Sequence, residues 1–90
     1  MNDDEIRATI LRVLGEIAPE IDLETLESDV PFQEQLDLDS MDFLNFVTGL
    51  AEETGVNIPE RDYPRMSTLG ACIEYLRSAR DAADLTAPEQ

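Results

Sequence analysis

The sequence predicts an all-α fold, a three- to four-helix bundle with a long loop between its first two helices, in a single domain over residues 1–90. Three observations carry this. Apolar residues recur at three- and four-residue spacing in separate stretches, cap residues stand ahead of those stretches, and no segment alternates apolar and polar residues as a strand would.

The first helix is predicted over residues 3–18. Ile6, Ile10, Val13, Leu14 and Ile17 form one apolar stripe, with Arg7, Arg12 and Glu16 outside it. Asn2 followed three places on by Glu5 is a capping-box pattern, and Pro19 lies just past the end. Residues 19–39 then make a connection of roughly twenty residues, a length that in compact domains signals function or hidden structure. Ile21, Leu23, Leu26, Val30, Phe32, Leu36 and Leu38 supply apolar anchors for it, and residues 22–27 suit a single helical turn. A crossover of this kind frees neighbouring helices from a strict up-and-down order.

The second helix is predicted over residues 40–54. Asp39 is a good N-cap, Asp42 complements the helix dipole, and Gly55 is a natural stop. Phe43, Phe46, Val47 and Leu50 mark the buried side. Gly49 inside this helix costs about 1 kcal/mol relative to alanine, so either a close contact requires it or it is merely tolerated. Pro59 then opens a short helix over residues 60–63, which Pro64 should break. Ser67 is expected to cap a last helix over residues 68–83, with Leu69, Cys72, Ile73 and Leu76 inward. The polar residues 84–90, with Pro88, are expected to fray.

Composition removes whole classes of chemistry. With no histidine, the chain cannot assemble a Ser-His-Asp or Cys-His site. It has no lysine for a Schiff base or a phosphate loop. One cysteine and no histidine leave no ordinary zinc site. Asp37, Asp39 and Asp42 superficially suggest a calcium loop, but Met41, Asp42 and Thr48 stand where that loop needs an oxygen ligand, glycine and glutamate. The expectation is a protein that is not an enzyme. Cys72 is read as a small core residue, and a lone cysteine fits a reducing compartment, hence a cytoplasmic location. The acidic N-terminus is unlike a signal peptide, and no apolar run reaches the roughly 20 residues of a membrane span.

Charge is the strongest compositional signal. The net charge is −15, and from Val13 to Glu60 inclusive there are thirteen acidic residues and no basic one. Such a surface repels nucleic acid and anionic membranes and steers basic proteins toward it. Ser40 sits within this stretch.

The segment from Phe32 to Asp42 delivers the Ser40 hydroxyl to a helix N-terminus at the end of a long loop. Unpaired backbone N–H groups and a positive dipole end would welcome a phosphate ester there. A serine at a helix start is also a common cap, so the residues alone leave both readings open.

Asp39-Ser40-Met41-Asp42 resembles the phosphopantetheine attachment motif of acyl carrier proteins, an Asp-Ser-Leu core with methionine in place of leucine. Phe32 and Leu36 match apolar positions upstream of it. Val56-Asn57-Ile58-Pro59 resembles the entry to the family's short third helix, and Ser67-Thr68-Leu69 with Ile73-Glu74-Tyr75-Leu76 resembles its last helix. The resemblance implies a 4′-phosphopantetheine arm on Ser40, placed there from coenzyme A by a phosphopantetheinyl transferase, with Asp39 assisting through the transferase's magnesium. It implies an acyl group carried as a thioester to enzymes with basic docking patches, a monomer, and a partner-facing side of the second helix comprising Met41, Asp42, Leu44, Asn45, Thr48 and Glu52. It also implies that the acyl chain can enter among Phe46, Val47, Leu50 and Ile73, residues that serve equally as plain core. Four positions depart from the family pattern: Asp37 replaces glycine, Asn45 and Ala51 replace acids, and Thr54 replaces a bulky apolar residue. These departures point to a specialised pathway rather than general fatty-acid synthesis. An aminoacyl or peptidyl carrier, and an unmodified acidic interaction module, are the alternatives.

Overall fold

A computed structural model describes residues 2–20 and 22–86, with side chains as far as Ala79. Helix α1 spans Asp3–Ile17, α2 Phe32–Gln35, α3 Ser40–Thr54 and α4 Leu69–Thr86. A 3₁₀ turn at Leu23–Thr25 and a 3₁₀ helix at Glu60–Met66 complete the order, and the described residues contain no strand. Helix α1 packs against both α3 and α4, and α4 packs against the 3₁₀ helix.

The caps explain the boundaries. Asn2 accepts from the Glu5 N–H at 2.8 Å, and Glu5 accepts from the Asn2 N–H at 3.1 Å, closing the expected capping box. Ile6, Ile10, Val13 and Leu14 are buried. They meet Phe46, Val47 and Leu50 of α3 and Leu69, Cys72 and Leu76 of α4 in one core. Gly55 ends α3 in the left-handed conformation (φ 73°), which glycine adopts without strain. Two exposed ion pairs, Arg12 with Glu53 and Arg77 with Asp3, lie across the α1–α3 and α1–α4 seams. Their exposure limits each to at most about 1 kcal/mol.

The long connection is only partly a loop. Within residues 22–27 the expected turn forms at Leu23–Thr25, with Asp22 capping it through the Glu24 N–H, but α2 was not legible in the sequence. It has no side-chain cap and spans four residues, too short to leave a periodic apolar trace. The Gln35 side chain ties the loop internally, donating to the Glu27 and Val30 carbonyls at 2.9 Å and accepting from the Glu27 N–H at 3.0 Å. Two backbone bonds then fasten it to the approach to α4: Phe32 N–H to Ser67 O at 2.7 Å and Gly70 N–H to Ser28 O at 2.9 Å. Of the anticipated anchors, Leu26, Phe32 and Leu38 are buried, and Leu23 and Leu36 pack half-buried against the core. Ile21 lies outside the described residues.

Three expectations need correction. Pro64 does not end the short helix, which continues to Met66. In 3₁₀ geometry a proline forfeits one hydrogen bond, while its fixed φ suits the helix and burial of Met66 rewards the continuation. The cap of α4 is Thr68, not Ser67: its hydroxyl accepts from the Ala71 N–H at 3.1 Å, while the Ser67 carbonyl holds the loop. Helix α4 also runs three residues beyond the predicted end, to Thr86, so residues 84–86 are helical rather than frayed. The rest of the expected tail, residues 87–90, lies outside the described residues.

Gly49 is explained by contact. A β-carbon built there would lie 2.9 Å from Cγ1 of Val13, so glycine lets α1 and α3 approach closely. Gly49→Ala gains about 1 kcal/mol of helix propensity but must push aside a stiff β-branched neighbour across a packed seam. Urea unfolding should show Gly49→Ala less stable than the natural chain by about 1 kcal/mol. The same change in a Val13→Ala background should be neutral or stabilising, giving a favourable coupling in the double-mutant cycle.

Candidate functional site

The end of the loop and the start of α3 build the site together. Leu38 is buried and pins the chain just ahead of the helix. Asp37, exposed, holds φ at 56°, a left-handed conformation uncommon for a residue with a β-carbon. Asp39 is extended, and its Oδ1 accepts from the Asp42 N–H at 2.8 Å while its carbonyl accepts from the Phe43 N–H at 3.0 Å. Asp39 is therefore the N-cap that the sequence suggested.

Ser40 follows as the first helical residue and is exposed. Its hydroxyl makes no hydrogen bond to any described residue, and neither do the Ser40 and Met41 N–H groups at the helix end. The side-chain cap is thus Asp39, leaving the serine hydroxyl available for chemistry. The free amides and the positive end of a fifteen-residue helix favour a phosphate ester at this oxygen. The carboxylates of Asp37, Asp39 and Asp42 oppose it, and their three charges outweigh the roughly half charge of the helix end, so the surroundings are net acidic.

Five of the six residues expected on the partner-facing side share one face. Met41, Leu44, Asn45, Thr48 and Glu52 are all exposed along one side of α3. Met41 is 64% exposed and Leu44 38%, the two exposed large hydrophobic residues among those described. Thr48 returns its hydroxyl to its own helix, donating to the Leu44 and Asn45 carbonyls at 3.0 and 3.1 Å, so the face is less polar than its composition. Asp42 stands apart. It is half-buried and lines a shallow groove of about 340 Å³ beside Ile17, Ala18, Glu20 and Leu36. Glu53, also on α3, pairs with Arg12.

Phe46, Val47 and Leu50 are fully part of the core, and Ile73 packs against it half-buried. Thr54 is buried where the family pattern has a larger apolar residue, and its hydroxyl donates to the Leu50 carbonyl at 2.7 Å. Cys72 is buried, donates to the Met66 carbonyl at 3.2 Å, and burial pushes its thiol well above the ordinary range. It is a core residue with no thiolate at neutral pH. The glycine that the family pattern has in place of Asp37 was the one signal of a left-handed turn there, and nothing in the sequence marked the groove at Asp42, which arises where the loop closes on α1.

A free serine hydroxyl thus stands at the head of a long helix, flanked by exposed apolar residues in an acidic surface. Comparison with known proteins places the chain in a family. Residues 4–76 match the family described as phosphopantetheine attachment site. The chain is 35% identical over 78 residues to an acyl carrier protein of Lactobacillus johnsonii, covering 87% of this chain and 96% of that protein. It is 30% identical over 82 residues to an acyl carrier protein of Renibacterium salmoninarum, covering 88% and 96%. Its fold matches that of the acyl carrier protein from Enterococcus faecalis with a TM-score of 0.74 at 23% identity, over 88% of this chain and 99% of that one. The chain belongs to the acyl carrier protein family, whose group is 4′-phosphopantetheine. No helix among the described residues is long and apolar enough to cross a membrane.

Asp37 supplies a direct test of how the site is entered. In a residue with a β-carbon the left-handed conformation costs about 1 kcal/mol, less for aspartate and nothing for glycine. Asp37→Ala should therefore unfold about 1 kcal/mol more easily in urea than Asp37→Gly, a comparison in which the lost charge cancels. Equal stabilities would show that the conformation is not strained.

Proposed function

We propose that Ser40 is the sole attachment point of the 4′-phosphopantetheine arm and that the chain carries acyl groups for a specialised pathway. One observation supports the assignment above the rest: Asp39, not Ser40, caps α3, so the serine hydroxyl is exposed and unspent at the helix end. A phosphopantetheinyl transferase would move the arm from coenzyme A to Ser40 Oγ, breaking the pyrophosphate bond and releasing adenosine 3′,5′-bisphosphate and the hydroxyl proton, with Asp39 holding the helix start in place and its second carboxylate oxygen available to the transferase's magnesium. When attached, the arm supplies a thiol that holds the acyl group as a thioester. The chain contributes position and recognition: α3 orients the attachment oxygen, and tethering raises the effective concentration of the cargo at each docked enzyme.

Partners meet the exposed side of α3, where Met41 and Leu44 offer apolar contact and Asp39 and Glu52 offer charge. The net charge of −15 favours basic docking patches and disfavours self-association, consistent with a monomer. A buried, unreactive cysteine suits a reducing cytoplasm.

Intact mass after incubation with coenzyme A and a transferase should show one added arm, absent from a folded Ser40→Ala variant. A thiol reagent should then titrate one group in the native carrier and two after denaturation, since Cys72 is shielded. Modification of the Ser40→Ala variant would remove the assignment.

The middle of the docking face carries Asn45 and Thr48, where the family favours acid at the first position. General fatty-acid enzymes with a cation opposite residue 45 should therefore load this carrier poorly. Asn45→Glu should raise malonyl or fatty acyl loading of the arm by about tenfold, mainly through association. Efficient loading of the unaltered chain would return it to ordinary fatty-acid synthesis.

A further inference from the structure

The 3₁₀ helix and α4 form a second feature, in which Arg61 and Arg65 stand among the carboxylates of Glu60, Asp62 and Glu74. Among the described residues, Arg61 and Arg65 are exposed and make no ion pair with a carboxylate, although the chain has 21 acidic residues. Arg65 instead lies over the Tyr75 ring, its guanidinium carbon 4.8 Å from the centroid. Tyr75 is buried and donates its hydroxyl to Asp62 Oδ2 at 2.7 Å. Asp62, Arg65, Tyr75, Ser78 and Ala79 line a shallow notch of about 250 Å³. Each part fixes the next: Asp62 locks the tyrosine, the tyrosine ring braces the guanidinium, and the braced fork keeps its N–H donors for something outside the chain.

We propose that this notch receives a carboxylate side chain, aspartate or glutamate, from an acidic segment of a partner enzyme. A planar guanidinium already held on a ring matches a carboxylate through two parallel hydrogen bonds and loses little freedom on binding. Arg61 adds a second positive charge nearby, and the Ser78 hydroxyl adds a neutral donor. Asp62 is occupied by the tyrosine hydroxyl, which lessens its opposition. The −15 net charge disfavours capture of a free anion from solution, whereas a partner already attracted to the acidic side of α3 brings its acidic segment with it. The partner would then present cations to α3 and carboxylates to the 3₁₀ helix. That pairing of opposite charges sets the orientation of docking and rejects enzymes that are basic throughout. The proposal rests on the carrier reading only for the class of partner; the notch chemistry is tested separately from Ser40.

The test is an NMR titration of the full, isotope-labelled chain with a blocked tetraglutamate peptide, in salt of about 150 mM to screen long-range repulsion. Saturable shifts are expected at the Arg65 side-chain N–H and at the Tyr75, Ser78 and Ala79 amides. They should weaken by about fivefold or more in Arg65→Gln, and less in Arg61→Gln, which serves also if the first variant misfolds. Tyr75→Phe should keep the ring under Arg65 and retain most of the binding. Blocked tetralysine should shift the α3 face instead. The proposal is overturned by no saturable shift, by equal shifts from acetate at matched carboxylate concentration, or by shifts that persist in Arg65→Gln. It is equally overturned if sedimentation shows a dimer that Arg65→Gln dissolves, since the occupant would then be a second copy. Mass analysis of arm attachment, run alongside, reports on Ser40 independently of all these outcomes.

Discussion

Phe32 holds the long connection in the core, and much of the site depends on it. The side chain is fully buried and meets Phe46 edge to face, with ring centroids 5.1 Å apart at 74°. That geometry is worth about 0.5–1.5 kcal/mol beyond the area it buries. The Phe32 N–H is spent on the Ser67 carbonyl, so one residue joins the loop to α3 by its ring and to the approach of α4 by its backbone. Without this fastening, roughly twenty residues between α1 and α3 would have little reason to adopt one path. Ser40 would then lie at the end of a tether rather than at a fixed place.

The second constraint is close approach. Gly49 admits Val13, and Gly70 admits the Ser28 carbonyl, where an added β-carbon would lie 3.2 Å from that oxygen. Both glycines stand in helices and forgo helix propensity for contact. One seam sets α1 against α3, and the other secures the loop to α4. The helix that presents Ser40 is thereby positioned from both flanks by small residues, while the large ones fill the core between them. A carrier needs this combination: a rigid platform under the proposed attachment oxygen and an outer face left open for proteins that come and go.

Charge and polarity divide the surface by element. The side of α3 next to Ser40 is apolar at Met41 and Leu44 and acidic at its ends. The 3₁₀ helix carries Arg61 and Arg65 together with Glu60 and Asp62, so it is mixed in charge where α3 has no cation. Burial and the Asp62 carboxylate raise the Tyr75 hydroxyl above its ordinary range, while Arg65 and Arg61 pull it down. The tyrosine therefore stays protonated across physiological pH and remains a donor to Asp62, which keeps the stack with Arg65 in place.

The sequence by itself determined the helices that bury a stripe. In α1, α3 and the inner face of α4, periodicity and caps name the buried residues, because those choices depend on neighbours three or four places away. It also determined the place of Ser40, since Asp39, the serine and the helix that follows are contiguous. Tertiary structure decided everything that depends on residues far apart in the chain. Helix α2 exists because Phe32 finds Phe46 and Ser67, Thr68 displaces Ser67 as cap because the loop claims the Ser67 carbonyl, and Tyr75 turns inward to meet Asp62. The left-handed turn at Asp37 follows from the same closure. Aspartate tolerates that conformation better than most residues but does not impose it, and the fixed positions of Leu36 and Leu38 against the core select it.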